Sequence, residues 1–174
     1  METILRQQYL DSIERYLGKD TIIILTGQRR VGKSCVLRMF RNLIGKNGDS
    51  NIIFIDKEKH EFDDIKNYKD LNTYIDARRD KNKTNYILID EIQDIEEFEK
   101  SLRSYYEEPD IEILVTGSNS KMLSSDLSTL IAGRYKEIYI QALSYEEFMI
   151  FDALKTKTYR KICNLRNNTY FCSG

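Results

Sequence analysis

Eight consecutive residues restrict what this chain can fold into more than any others: Gly27-Gln28-Arg29-Arg30-Val31-Gly32-Lys33-Ser34. They fit the pattern G-x-x-x-x-G-K-[ST], in which successive backbone N–H groups turn inward and cradle phosphate oxygens. Glycine serves where the backbone must take conformations closed to other residues and approach a ligand closely. Lys33 is placed to neutralise β and γ phosphates, and the Ser34 hydroxyl to ligate Mg²⁺. The flanks agree with the pattern. Thr21-Ile22-Ile23-Ile24-Leu25-Thr26, just before it, is apolar and β-branched, as in a strand buried on both faces. Val36, Leu37, Phe40, Leu43 and Ile44, just after it, have helical spacing, and Gly45 closes that helix. The positive N-terminal end of such a helix adds to an anion site.

The strand–helix alternation continues along the chain. Residues 51–55, 86–89, 111–116 and 135–140 read as four further strands. Between them, Phe62, Ile65, Tyr68, Leu71 and Ile75 fit one amphipathic helix, and Ile95, Phe98, Leu102 and Tyr105 another. Leu123, Leu127 and Leu130 mark a helix before the last strand, and Leu5, Tyr9, Ile13, Tyr16 and Leu17 mark one before the first, stopped at Gly18. Asp94 and Glu97 have the spacing of a capping box, as do Ser144 and Glu147, with Leu143 and Phe148 set as a hydrophobic staple. This order predicts an α/β fold of three layers, a mostly parallel five-stranded sheet flanked by helices.

With 174 residues, the chain suits a single core of medium size. A net charge of −1 gives no global reason to expect a nucleic-acid partner. Cys35, Cys163 and Cys172 show no metal-ligand spacing, and no apolar run is long enough to cross a membrane, which points to a cytoplasmic protein. Residues 1–154 read as the core with its N-terminal helix. Residues 155–174 carry Lys155, Lys157, Arg160, Lys161 and Arg166 without an acidic residue, and read as a basic stub beginning a truncated second module.

A second constellation follows the third strand. In Ile87-Leu88-Ile89-Asp90-Glu91, Asp90 ends a buried strand, where ligands bind in open α/β sheets. Asp90 is the expected Mg²⁺ partner, and Glu91 the carboxylate that polarises an attacking water. The plainer alternative makes the pair a charged strand exit. Thr116-Gly117-Ser118-Asn119 closes the fourth strand, with Asn119 as the candidate γ-phosphate sensor or, equally, a helix cap. Arg134, after Gly133, could offset transition-state charge in its own or a neighbouring subunit, or be surface charge alone. Lys33, Glu91, Asn119 and Arg134 are thus the catalytic candidates, with Gly27 to Ser34 and the adjoining Cys35 holding the nucleotide. Cys35 is expected to be small and buried rather than a nucleophile. His60 is expected to be solvated.

These residues resemble the prokaryotic AAA-type ATPases of the P-loop superfamily over about residues 5–150. The resemblance rests on the loop through Ser34, on Leu88-Ile89-Asp90-Glu91-Ile92-Gln93 and on Val115-Thr116-Gly117-Ser118-Asn119-Ser120. Leu130-Ile131-Ala132-Gly133-Arg134-Tyr135 and Leu143-Ser144-Tyr145-Glu146-Glu147-Phe148 complete it. It implies ATP rather than GTP, a third strand not adjacent in sequence to the loop's strand, and a further C-terminal region. The expected function is Mg²⁺-dependent ATP binding and hydrolysis coupled to a conformational change, in a possible homo-oligomer. The rivals are a nucleotide-gated switch with negligible turnover and a nucleic-acid-associated module resting on the basic tail.

Overall fold

Strand β1 (Ile22–Thr26) is buried at every position, which is possible only where both faces of the sheet are covered. It sits inside a sheet of order β2-β3-β4-β1-β5, with every neighbouring pair parallel. The other strands are β2 (Ser50–Asp56), β3 (Thr84–Asp90), β4 (Ile111–Thr116) and β5 (Tyr135–Tyr139). Helices α1 (Gln7–Glu14), α2 (Lys33–Gly45), α3 (Tyr68–Asp76) and α4 (Phe98–Tyr105) flank them. The architecture comes from a computed structural model, which describes residues 5–46, 48–117 and 133–153.

Strand periodicity divides the core in two. Ile22 and Ile24 of β1, Ile87 and Ile89 of β3, and Ile113 and Val115 of β4 pack on one face with Leu71, Ile75, Phe98 and Leu102 from α3 and α4. The intervening Ile23, Leu25, Leu88 and Leu114 pack on the other face with Leu10, Ile13, Val36, Leu37 and Phe40 from α1 and α2. Each such side chain contributes about 1.5–3 kcal/mol on burial, so two covered faces hold a sheet that one could not. The three-layer α/β fold is the one expected. In the sheet, β4 lies between the third strand and β1.

Several local expectations require correction. The single helix read through Phe62 and Ile75 is two pieces, a 3₁₀ turn at His60–Phe62 and α3. The break is chemical: Asn67 caps α3, its Oδ1 accepting from the Lys69 and Asp70 N–H groups at 2.9 and 3.3 Å. The Asp70 carboxylate accepts in return from the Asn67 N–H at 3.2 Å. The expected box of Asp94 and Glu97 does not form. Ile92–Asp94 is a separate 3₁₀ turn, and Glu97 precedes α4 in a left-handed conformation without a side-chain cap. Asn67→Ala is therefore expected to cost about 1 kcal/mol of stability, read as a lowered urea midpoint, whereas Asp94→Ala should leave the midpoint unchanged.

The chain divides into two units, Arg6–Ala142 and a second containing Leu5 and the residues from Leu143 onward. In the second unit, α5 spans residues 145–153. The Ser144 and Glu147 box is made, each side chain accepting from the other's N–H at 3.1 and 2.8 Å. The helix expected around Leu123–Leu130, the sensor candidate Asn119 and the basic segment 155–174 lie outside the described residues. No helix among the described residues is long and apolar enough to cross a membrane.

Candidate functional site

All five strands run the same way, so their C-terminal ends meet at one edge of the sheet, and the loop after β1 opens there. Gly27 has φ of +142°, and a Cβ on it would stand 2.3 Å from the Ile140 carbonyl oxygen. Only glycine lets the chain leave β1 so close to the end of β5. Arg30 at φ 66° and Gly32 at φ 99° turn the loop further, and Gly32 precedes α2. Lys33 is buried and folds back over the loop, its Nζ donating to the Gly27 and Gln28 carbonyls at 3.2 and 3.1 Å.

From beneath, Arg6 braces the loop, an interaction that helical periodicity in residues 5–17 gave no reason to expect. It is only 4% exposed. Nη1 donates to the Val31 carbonyl at 3.2 Å, and Nη2 to the Gln141 carbonyl at 3.0 Å. Its guanidinium lies 4.5 Å from the centre of the Tyr9 ring, a cation–π contact.

Facing the loop are the ends of β3 and β4. Asp90 is fully buried, and Thr116 Oγ1 donates to its Oδ1 at 2.5 Å. The same hydroxyl accepts from the Glu91 N–H at 2.9 Å. Burial raises the Asp90 pKa; the Thr116 and Ser34 hydroxyls and the Arg38 charge counter it, while Asp56 adds to it. Asp90 Oδ2 is the buried side-chain polar atom left without a hydrogen-bond partner among the described residues. Glu91 adopts a left-handed backbone at φ 53°, and its Oε2 accepts from Gln93 Nε2 at 2.5 Å.

Between loop and strand ends lies a cleft of ≈ 680 Å³. Arg29, Arg30, Gly32, Lys33, Ser34 and Cys35 line one side. Glu91 lies opposite, with Glu58, Gln93 and Asp94, none of which residue order assigned to the site. Cys35 is exposed here rather than buried: one residue after Ser34 on the helix, it turns to the cleft while Val36 and Leu37 take the core face. His60 is solvent-exposed.

The donor set fits a magnesium ion. A hydroxyl and a buried carboxylate with a free oxygen stand together, and no group of three or more His, Cys, Asp or Glu among the described residues forms a protein cage. Mg²⁺ takes few protein ligands and completes its shell with phosphate and water.

Arg134 is not part of this cluster. It precedes β5, where its carbonyl accepts from the Ile22 N–H at the opposite end of β1 from the loop. Five residues of strand put it roughly 17 Å from Thr26. Its Nη1 lies 3.4 Å from Glu107 Oε1, and its guanidinium lies over the Tyr106 ring.

Comparison with known proteins agrees with this geometry. Residues 19–149 match the model of an AAA domain family. An uncharacterized protein of Haemophilus influenzae is 34% identical over 149 residues, covering 84% of this chain and 37% of that protein. An uncharacterized protein of Methanocaldococcus jannaschii is 29% identical over 145 residues, covering 83% of this chain and 32% of its own length. The chain thus spans about a third of the length of the curated relatives it matches. Among solved structures, Caenorhabditis elegans PCH-2 shares the fold with a TM-score of 0.54 at 13% identity, over 79% of this chain and 42% of that one. The match across most of the sheet and its phosphate loop makes this a nucleotide-binding, ATPase-like core: the chain belongs to the AAA-type P-loop ATPase family of bacteria and archaea.

Proposed function

We propose that the cleft binds ATP with Mg²⁺ and hydrolyses it. The observation that carries this reading is Asp90 Oδ2, fully buried and without a hydrogen bond beside the helix that begins with Lys33 and Ser34, with the Arg38 cation no nearer than 3.8 Å. An orphaned buried carboxylate oxygen is costly unless a cation meets it. Ser34 and Asp90 would hold the ion. A bound Mg²⁺ would supply positive charge that offsets the charge of the phosphates.

The chain's own groups do the rest. Backbone N–H groups from Gly27 to Ser34 bind the phosphates, and the loop glycines permit the turn. Lys33 exchanges its two loop carbonyls for phosphate oxygens, stronger acceptors because they are charged. Glu91 accepts the proton of a water placed against the γ-phosphate, with Gln93 holding one carboxylate oxygen and leaving the other for the water. Thr116 keeps Asp90 and Glu91 in fixed relation through a single hydroxyl. Arg134, far from its own loop, would act on the nucleotide of a neighbouring copy in an assembly.

Binding tests the reading directly. ATP–Mg²⁺ should raise the melting temperature of the wild type by mass action on the folded state. Lys33→Ala should lose most of that shift. A mutant with an undiminished shift would overturn the assignment.

A further inference from the structure

A second carboxylate stands beside Asp90 at the sheet edge. Asp56 closes β2 as Asp90 closes β3, and the two are partners across the parallel ladder. Their side chains are 1% and 0% exposed. Two like charges so close in a dry place need a compensating cation. Arg38 is that cation, one helical turn after Ser34 and so on the same side of α2. Its Nη2 donates to Asp56 Oδ2 at 3.0 Å but stands 3.8 Å from Asp90 Oδ2, beyond hydrogen-bonding range. Asp56 is itself held, its Oδ1 accepting from the Glu58 N–H at 3.3 Å. The Arg38 side chain is 45% exposed, so solvent reaches it.

We propose that Asp56 is a positioning residue for the divalent cation: it anchors Arg38 to itself and so keeps Asp90 Oδ2 open for the metal. The inference rests on the cleft being a site for ATP and Mg²⁺. Asp56 acts through Arg38 and touches no reacting atom. Without the Asp56 charge, the nearest strong acceptor for Arg38 is the unpartnered Asp90 Oδ2, 3.8 Å away. A small side-chain rotation would tighten that long ion pair into a hydrogen-bonded one, and the arginine would then occupy the oxygen the cation needs.

The pair of substitutions has opposite expected signs, which a merely structural role does not. A fluorescent ATP analogue is titrated with Mg²⁺, and the half-saturating Mg²⁺ concentration is read for each variant, alongside the melting temperature without ligand. Asp56→Asn should raise that concentration by about tenfold, because Arg38 now competes for Asp90. Arg38→Met should lower it by roughly threefold or more, because a positive charge beside the cation's carboxylate is gone. In the double variant the competitor is absent, so the value should fall back from that of Asp56→Asn towards the wild type. If Asp56→Asn stays within about twofold of wild type, or Arg38→Met weakens Mg²⁺ binding as well, the proposal is overturned. Should Asp56→Asn fail to fold, the sign of the Arg38→Met effect decides alone. Wild-type protein that binds the analogue without Mg²⁺ dependence, or not at all, would instead overturn the ATP and Mg²⁺ reading, and this inference with it.

Discussion

Glu91→Gln is expected to keep ATP bound and to slow its hydrolysis by about 10² or more. The substitution retains shape and can still hydrogen-bond Gln93, whose Nε2 lies 2.5 Å from Glu91 Oε2. It also retains the backbone. Glu91 sits at φ 53°, a conformation costing a non-glycine residue of order 1–3 kcal/mol, and glutamine meets the same cost. The Glu91 N–H remains fixed to Thr116 Oγ1. What disappears is the capacity to take a proton. Single-turnover hydrolysis beside the ATP-induced melting shift separates the two effects: the shift should persist while the rate falls. Equal rates would remove Glu91 from the chemistry.

Gly27→Ala should produce the largest loss of stability from any single methyl group in the loop, about 3 kcal/mol or more. Two costs add. At φ +142° an L residue is strained whatever the space. The new Cβ would also stand 2.3 Å from the Ile140 carbonyl oxygen and 3.1 Å from Val31 Cγ2. The carbonyl cannot retreat freely, because the Ile140 N–H donates to the Thr26 carbonyl at 2.7 Å and ties the end of β5 to β1. Urea denaturation gives the measurement. Alanine at Gly18, at φ +68° with nothing within 4 Å, gives the cost of a left-handed backbone without any close approach. If the two variants lose equal stability, the close approach contributes nothing.

Much of this was legible in residue order. The phosphate loop, the apolar β-branched runs and the carboxylates after β3 are local signals, and the parallel sheet follows from their alternation. The loop and Glu91 do meet across one cleft, and the Ser34 hydroxyl reaches Asp90. What the order did not reveal depends on partners distant in the chain. Asp94 and Glu97 have capping-box spacing, yet Glu91 and Glu97 both take left-handed conformations that break the segment between them. Arg38 and Asp56 look like a surface helix charge and a strand-end acid until α2 is laid across β2 and β3. Arg6 lies in an amphipathic pattern that accounts for Tyr9 and Ile13 but not for a buried guanidinium. Cys35 was misplaced because burial of small thiols is a statistical habit, whereas its position after Ser34 directs it to the cleft. Arg134 reads in the sequence as a partner for its own or a neighbour's nucleotide, and parallel pairing puts it at the opposite end of β1 from its own loop.

Arg6 has a consequence for how the core communicates. It is the first residue of the core unit, and Gln141 is the last but one. The one guanidinium donates to the Gln141 carbonyl and to the Val31 carbonyl inside the loop. Entrance, exit and phosphate cradle therefore share a single planar group, whose donors lie in a fixed fork. The loop carbonyl cannot shift without turning that fork, and turning it strains the bond at Gln141. Were a phosphate bound as proposed, the path from its loop to Gln141 would be one side chain long.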